Sequence, residues 1–260
     1  MMTDATDNGA GRTQDMVGKA LSLLTLLGEH PHGAVASALA RESGFPLSTA
    51  HRLLGILVRE GFAKFEQTTR QYAVGIRIFE LAQSVSVAYG FAGMTRPILE
   101  ELSAITKEAS LLTVRDNDRQ LYVQTIAGPQ QVSVNGEPGR HGPLHCTAVG
   151  KVLTAFAVDS VREQLLASIS LDACSPNSIT DRAAFRVEIE KVRRLGYAIA
   201  DEEHELGIRA IAVPVFVHGE VVAALATAAP AYRASVERLE EYVPHLHETA
   251  RSLATVMALQ

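Results

Sequence analysis

The sequence lacks the apolar run of about 20 residues that a membrane-spanning helix requires. It also lacks a charged and then apolar leader at its N-terminus, so we expect a cytoplasmic protein. Cysteine is scarce, with two residues, Cys146 and Cys174. Two cysteines provide neither a disulfide framework nor the ligand quartet of a structural zinc site. The hydrophobic content of 47% is normal for globular domains, and we find no internal repeat.

An excess of basic residues is also absent, since the formal net charge is −5. A nonspecific or architectural DNA binder would be expected to have a more basic chain. The charge is unevenly distributed, however, because residues 33–79 contain six Lys and Arg against three Asp and Glu. Residues 91–260 contain sixteen Lys and Arg against twenty-one Asp and Glu. A basic segment joined to an acidic body fits a two-domain protein that binds nucleic acid reversibly.

Residues 33–61 have the pattern of two short helices joined by a tight corner. Gly44 provides the corner, because glycine adopts a positive φ without strain. Pro46 fits the first turn of the second helix, where a backbone N–H has no helical partner. The expected buried positions are Val35, Ala38 and Leu39 in the first helix and Ala50, Leu53, Leu54 and Leu57 in the second. This arrangement predicts a helix-turn-helix.

The opposite face of the second helix carries hydrogen-bonding side chains near its N-terminal end. These residues are Ser48, Thr49, His51 and Arg52. A recognition helix reads base edges with residues in this position, and an arginine can bind a guanine edge through two hydrogen bonds. By itself, the pattern is equally compatible with an ordinary amphipathic helix that has a solvated polar face.

A basic hairpin directly after this helix favours DNA binding. The alternation of Phe62, Lys64, Tyr72 and Val74 predicts two strands, with a polar turn at residues 67–70. Lys64 and Arg70 can contact phosphates as the cations of a wing. Lys19, near the start of the preceding helix, is a further candidate phosphate contact. Helix, turn, polar-faced helix and basic hairpin together predict a winged helix-turn-helix.

We divide the chain into a winged helix-turn-helix over 15–75, a linker helix over 76–90 and a second domain over 91–260. Residues 1–14 are polar and aperiodic, so we expect them to be disordered. Residues 16–30 should form a helix that packs beneath the two helices of the helix-turn-helix. Its expected apolar stripe is Val17, Leu21, Leu24 and either Leu26 or Leu27.

The second domain mixes strand-like and helix-like periods, which predicts an α+β domain with an antiparallel sheet flanked by helices. Strands are expected at 109–114, 121–126, 131–135, 196–200, 208–216 and 220–229. Helices are expected to begin near residue 97 and to span 145–157, 160–167, 181–195 and 236–258.

Three separated motifs resemble the IclR family of bacterial transcription regulators, in the family's order and over nearly the whole chain. They are Ser48-Thr-Ala-His-Arg-Leu-Leu54 with Glu60-Gly-Phe62, then Leu144-His-Cys-Thr-Ala-Val-Gly-Lys151, then Gly196-Tyr197 through Asp201-Glu-Glu-His-Glu-Leu-Gly-Ile-Arg-Ala-Ile-Ala212. The resemblance implies a winged-helix reader, a linker helix and a GAF-like effector domain. It also implies homodimers, often paired into homotetramers, that bind palindromic double-stranded operators and respond to a small molecule.

The sequence departs from the family members that sense small carboxylates, whose pockets hold polar groups at four matching positions. Here these positions are Ala200, Ala210, Ala226 and Ala228. A carboxylate in such a pocket would shed its hydration and find few replacement hydrogen bonds. We therefore expect an effector larger and more apolar than glyoxylate. The expected pocket includes these alanines together with Leu144, Ala148 and Thr147, whose hydroxyl could hold a polar end.

Several chemical motifs have simpler interpretations. The acidic run Asp201–Glu205 could bind a divalent metal, but alternation along the chain scatters its side chains, so a structural cluster is the better interpretation. Gly150-Lys151 lacks the spacing of a phosphate loop. His145 and Cys146 are adjacent, a poor geometry for a base and a nucleophile, and a packed structural thiol is expected. A redox-sensing Cys146 would need exposure and a low pKa.

We therefore predict a sequence-specific transcriptional regulator with no catalytic residues, no metal and no cofactor. The alternative is an enzyme with an appended winged helix. That alternative requires a convergent nucleophile, base or metal ligands within residues 91–260, and no such set is evident from the sequence. The operator, the effector and the sign of regulation remain open.

Overall fold

The computed structural model describes residues 15–88 and 93–258. The predicted disorder of residues 1–14, the end of the predicted linker helix and the start of the predicted second domain at 89–92 lie outside the described residues. The chain forms two compact units, divided between Val85 and Ser86. No helix of the described residues is long and apolar enough to cross a bilayer.

The first unit is a small helical domain with a three-stranded sheet. Its elements are α1 (Met16–Gly28), β1 (Ala34–Val35), α2 (Ala36–Ser43), α3 (Leu47–Arg59), β2 (Ala63–Glu66), β3 (Gln71–Val74) and α4 (Arg77–Ala88). The core lies between α1, α2, α3 and the sheet. The helix-turn-helix and the hairpin are therefore confirmed as structural elements.

The corner between α2 and α3 lies at Gly44, as predicted, whereas Pro46 precedes the first helical turn instead of lying in it. Gly44 ends α2 with φ +71, and Pro46 occupies the N-cap of α3, one residue before the first helical turn. The predicted stripe of α3 is buried and consists of Ala50, Leu53, Leu54 and Leu57.

The buried faces of α1 and α2 match the prediction in part, since Leu27 and Leu39 are buried as predicted and the other buried positions differ. In α1, Leu23 and Leu27 are buried, whereas Val17 is 67% exposed and Leu21 is 56% exposed. In α2 the buried residues are Ala36, Leu39 and Ala40, and Ala38 is half-buried. Val35 is partly exposed because it lies in β1, a strand that pairs with β3 and that the sequence did not reveal.

The second unit is an α+β domain around a six-stranded antiparallel sheet with strand order β6-β5-β4-β9-β8-β7. Its strands are β4 (Ala109–Asp116), β5 (Arg119–Ile126), β6 (His141–Pro143), β7 (Ala198–Asp201), β8 (Ile208–Val217) and β9 (Glu220–Pro230). Its helices are α5 (Thr95–Thr106), α6 (Ala148–Ala155), α7 (Asp159–Ser168), α8 (Arg182–Leu195), α9 (Val236–Glu240) and α10 (Val243–Ala258).

The two faces of this sheet carry residues of different size. Side chains alternate between the faces along each strand. One face packs on α5, α9 and α10 with larger residues, among them Ile211, Val213, Val215 and Leu225. The face toward α6, α7 and α8 carries Ala200, Ala212, Ala224, Ala226 and Ala228. The small side chains leave room between the sheet and α6.

Two predicted elements of the second unit are wrong. Residues 131–135 form no strand, because the outer edge of β5 pairs with β6 and with the preceding backbone at Gly139 and Arg140. The predicted final helix is interrupted between α9 and α10. Pro244 lacks a backbone N–H and is tolerated only in the first turn of α10, so a single helix over 236–258 cannot form.

Candidate nucleic-acid interface and ligand cavity

The polar face of α3 is open to solvent. Ser48, His51 and Arg52 are exposed, and Thr49 is half-buried. Residues 48, 51 and 52 share one side of the helix, because they follow the i, i+3, i+4 spacing. Two of these side chains also contact the rest of the unit. Arg52 Nη2 lies 3.3 Å from Met16 Sδ, and the His51 ring lies edge-on to Tyr72, with centroids 6.5 Å apart.

The hairpin presents the two predicted cations to solvent. Lys64 lies in β2 and pairs with Ala73 of β3, and Arg70 adopts a positive φ of 54 at the turn into β3. Both side chains are exposed. Lys19 is half-buried on α1, and its Nζ lies 5.8 Å from the centroid of the Phe45 ring. The structure thus leaves Lys64 and Arg70 more accessible than Lys19.

A cavity of about 130 Å³ lies in the second unit, where the sheet face with alanines meets the start of α6. Six of the seven predicted pocket residues line it, namely Thr147, Ala148, Ala200, Ala210, Ala226 and Ala228. The strand register explains this grouping, since Ala210 pairs with Ala200 on one side and with Ala228 on the other. Residues that pair directly on neighbouring strands point to the same face of the sheet.

Leu144 does not line this cavity. It is buried in the core and borders a second, more open cavity of about 380 Å³ together with His145 and Cys174. The remaining lining residues of the first cavity were missed by sequence analysis. They are Leu111, Tyr122, Val134, Asn135, Gly136, Val149, His204, Glu205 and Ile208. No local signal marks most of them, because they come from separate strands and loops.

The hydroxyl of Thr147 is already occupied. It accepts a hydrogen bond from Gly150 N (3.1 Å) as the N-cap of α6, and it donates to Gln120 Oε1 (2.6 Å) or to Pro143 O (2.9 Å). Gln120 is fully buried, and its Nε2 donates to the Tyr122 hydroxyl (3.1 Å). The donor of Thr147 is therefore already used within the protein, and Tyr122, which ends this chain of hydrogen bonds, also lines the cavity.

The state of the Tyr122 phenol follows from its surroundings. Burial raises the pKa of Tyr122, and the hydrogen bond from Gln120 only partly opposes this increase. The phenol is therefore neutral at physiological pH. Because its oxygen accepts from Gln120, its own proton remains available for a second hydrogen bond.

Comparison with known proteins places both units in one family. Residues 16–67 match the IclR helix-turn-helix domain, and residues 83–255 match the C-terminal domain of the bacterial transcriptional regulator IclR. The chain belongs to the IclR family of transcriptional regulators. It is therefore a DNA-binding regulator with an effector-binding C-terminal domain, as the sequence motifs predicted.

Relatives of this IclR-family regulator match over nearly their whole length. The chain is 32% identical over 240 residues to the HTH-type transcriptional regulator KdgR of Escherichia coli K12, and the matched region covers 92% of this chain and 91% of that protein. Its fold is similar to the crystal structure of an IclR homolog from Microbacterium hydrocarbonoxydans complexed with 4-hydroxybenzoate, with a TM-score of 0.83, 27% identity and coverage of 95% and 100%. The Thermotoga maritima IclR structure gives a TM-score of 0.76, with 26% identity and coverage of 94% and 99%.

The acidic run of this IclR-family chain is dispersed among different partners. Asp201 and Glu202 accept from Arg209, at 2.5 Å and 3.4 Å, and Glu203 accepts from Lys151 at 2.6 Å. His204 and Glu205 line the cavity. The carboxylates therefore stabilise the loop, which agrees with the structural interpretation of the run.

His145 is not placed to activate Cys146. His145 Nε2 faces the Asp172 carbonyl oxygen at 2.8 Å and must donate to it, since a carbonyl has no proton to give. Burial lowers the pKa of His145 and raises that of Cys146, so the imidazole is neutral and the thiol stays protonated at neutral pH.

Within the described residues, the one cluster with three possible metal ligands is His145, Cys146 and Cys174.

Proposed function

We propose that this regulator is a cytoplasmic homodimer that reads a palindromic operator with α3 and the hairpin. The proposed DNA contacts are Ser48, Thr49, His51, Arg52, Lys64, Arg70 and Lys19. Exposure of the polar face of α3 supports base contacts near its N-terminal end, and the exposed hairpin cations support phosphate contacts. We further propose the division into a winged helix-turn-helix over 15–75, a linker helix over 76–90 and an effector domain over 91–260. Dimers are proposed to pair into tetramers.

We propose that the effector occupies the cavity beside α6. Its size supports a compact ligand, because an apolar cavity of about 150 Å³ accommodates a benzene ring. The four alanine methyls of its sheet wall offer no hydrogen bonds. Neither Lys nor Arg is among the described residues that line it, and His204 is the one basic side chain among them, so a carboxylate buried against the alanine wall would lose its hydration with little replacement from that wall. A mostly apolar ring fits this wall better than glyoxylate or pyruvate.

Tyr122 supports one polar group on this effector. The hydrogen bonds from Thr147 to Gln120 and from Gln120 to Tyr122 orient the phenol, whose proton can then reach an acceptor oxygen on the ligand. The expected effector is therefore a single ring with an acceptor oxygen. The similar Microbacterium protein binds 4-hydroxybenzoate, a single ring of this size that also carries a carboxylate, so the support it lends concerns the ring and not the charge.

The observation that carries this proposal is the alanine wall, and a melting-temperature screen tests it. Single-ring compounds with an acceptor oxygen should raise the melting temperature of the full chain, because a ligand that binds only the folded state stabilises it. Glyoxylate and pyruvate at sub-millimolar concentration should have negligible effect. A clear shift with glyoxylate would contradict the proposed chemistry of the pocket.

Two variants locate the site. Ala210→Leu adds bulk to the cavity wall and should abolish the shift while operator binding is retained. Ala183→Leu makes the same change on the exposed surface of α8 and should leave the shift unchanged. Retention of the full shift in Ala210→Leu would show that the ligand does not bind in this cavity.

A further inference from the structure

The two cysteines of the chain come together although they are 28 residues apart. Cys146 Sγ lies 2.7 Å from Cys174 Sγ, and both residues are free thiols. Cys146 is fully buried immediately before α6, whereas Cys174 is exposed on the segment between α7 and α8. One thiol is thus reachable from solvent and the other is shielded directly behind it.

Hydrogen bonds fix the segment that carries Cys174. Ser178 Oγ accepts from Cys174 N and from Ser175 N, each at 2.9 Å, and donates to Glu203 O at 2.6 Å. On the other side, Cys146 precedes the Thr147 N-cap of α6. Both backbones are therefore anchored, and the short distance between the sulfur atoms is built into the loop structure.

The geometry is closer to that of a disulfide than to that of a metal site. Sulfur atoms in a disulfide are about 2.0 Å apart. Two thiolates on a tetrahedral zinc ion, with Zn–S bonds of about 2.3 Å, are about 3.8 Å apart. His145 Nε2 lies 4.0 Å from Cys174 Sγ and donates to the Asp172 carbonyl oxygen, so only Nδ1 of this ring has a free lone pair for a metal ion. A metal ion bound by both thiolates would have to push the two sulfur atoms apart.

We propose that Cys146 and Cys174 form an oxidisable dithiol, which hydroperoxides convert into an intramolecular disulfide. This proposal goes beyond the proposed function and does not depend on the effector or the operator. The disulfide would join the start of α6 to the segment that hydrogen-bonds the backbone of Glu202 and Glu203. It would therefore link the start of α6, which lines the cavity, to a segment that contacts the loop just before the lining residue His204.

The reaction begins at Cys174 because this residue is exposed, whereas Cys146 is fully buried and burial raises the pKa of its thiol. Cys174 sulfur attacks one oxygen of the peroxide, the O–O bond breaks, and the products are a sulfenic acid and water or an alcohol. Cys146 sulfur then attacks Cys174 sulfur. The S–O bond breaks, and the hydroxyl leaves as water with the proton of Cys146. The two thiols lose two electrons, which reduce the peroxide.

The test uses the full, fully reduced chain, treated with a small excess of hydrogen peroxide and then denatured in an alkylating reagent. Both thiols should become unreactive, and the intact mass should fall by about 2 Da, the mass of two hydrogens. On a nonreducing gel the chain should migrate as a single copy, and dithiothreitol should restore both thiols. Since the chain has two cysteines, loss of both within one copy identifies this pair.

Two variants separate the roles of the thiols. In Cys174→Ser, the buried Cys146 should keep its thiol at the same peroxide dose, and the exposed position should tolerate the change. In Cys146→Ala, Cys174 should instead gain oxygen atoms or form disulfides between copies.

Three results with the peroxide-treated wild-type chain would overturn the proposal. They are retention of both thiols, a gain of oxygen without the loss of two hydrogens, and disulfides between copies. Stoichiometric zinc binding by the reduced chain, with no disulfide formed on peroxide treatment after the zinc is removed, would identify the cluster as a metal site instead.

Discussion

Lys151 Nζ lies 2.6 Å from Glu203 Oε1, although the two residues are 52 positions apart in the chain. The Lys151 side chain is 1% exposed, and it also donates to Glu188 Oε1 and to Ile199 O, each at 3.0 Å. One ammonium group therefore joins α6 to α8, to β7 and to the loop after β7. The Gly150-Lys151 motif has a structural role here and does not form a phosphate site.

Replacing Lys151 should destabilise the second unit strongly. Lys151→Met leaves the carboxylates of Glu188 and Glu203 without their buried partner, which typically costs about 3–5 kcal/mol. Lys191→Met removes an exposed lysine that lies 3.8 Å from the same Glu188, and it should cost less than about 1 kcal/mol. Urea unfolding of both variants measures the difference. Similar small losses would show that the buried pair has little role in stability.

The stability of the folded chain should depend on pH through Glu203. Burial raises the pKa of Glu203, and the opposing effect of Lys151 does not cancel this increase. The folded pKa then exceeds the unfolded value of about 4.3, so the folded chain binds more protons between the two values. The stability of the wild type relative to Glu203→Gln should therefore be greatest below that window and fall as pH rises through it. Urea unfolding at several pH values tests this, and a pH-independent difference would contradict it.

Replacing Arg52 should change DNA binding in a different way from replacing the hairpin cations Lys64 and Arg70. If Arg52 contacts a base, Arg52→Ala should cost about 1–3 kcal/mol and relax the preference at one operator position. Lys64→Ala and Arg70→Ala should weaken all sequences similarly and reduce the salt dependence of binding. Fluorescence anisotropy against an operator and its single-base variants measures both effects. A uniform loss in all three variants would remove Arg52 from the list of base contacts.

The operator should contain two related half-sites, because one winged helix-turn-helix is small. A single winged helix contacts too few base pairs for high specificity, so we expect a dimer on two related half-sites. Light scattering at micromolar protein should give a dimer or tetramer. Deletion of one half-site should weaken binding by more than about tenfold, or about 1.4 kcal/mol. A monomer that binds one short site tightly would refute the expectation.

The polar anchor of the effector cavity should be the Tyr122 hydroxyl. Tyr122→Phe removes the proposed hydrogen bond to the ligand and should weaken binding of a ring compound with an acceptor oxygen by about 0.5–1.5 kcal/mol. The same variant should bind an unsubstituted ring about as well as the wild type does. Calorimetry with such a ligand pair tests this, and an equal loss for both ligands would assign Tyr122 a purely structural role.

The local sequence determined the winged helix-turn-helix. Gly44, the stripe from Ala50 to Leu57 and the polar turn at 67–70 each act within a few residues, so their spacing was sufficient to predict a helix-turn-helix and a hairpin. The alanines of the cavity wall were predicted from the family resemblance, and the alternation along β8 and β9 explains why Ala210, Ala226 and Ala228 share one face. The family motifs supplied the architecture of the second unit.

Tertiary structure alone decided which groups meet across the chain. Periodicity assigned a buried face to α1 but not its exact orientation, since the partner surfaces of α2, α3 and β3 set that rotation. The pairing of Lys151 with Glu203, the orientation of Tyr122 by Gln120 and the contact between Cys146 and Cys174 have the same origin. Each joins side chains from separate elements, and their distances depend on how strands and loops pack. No pattern of residue types along the chain encodes those distances.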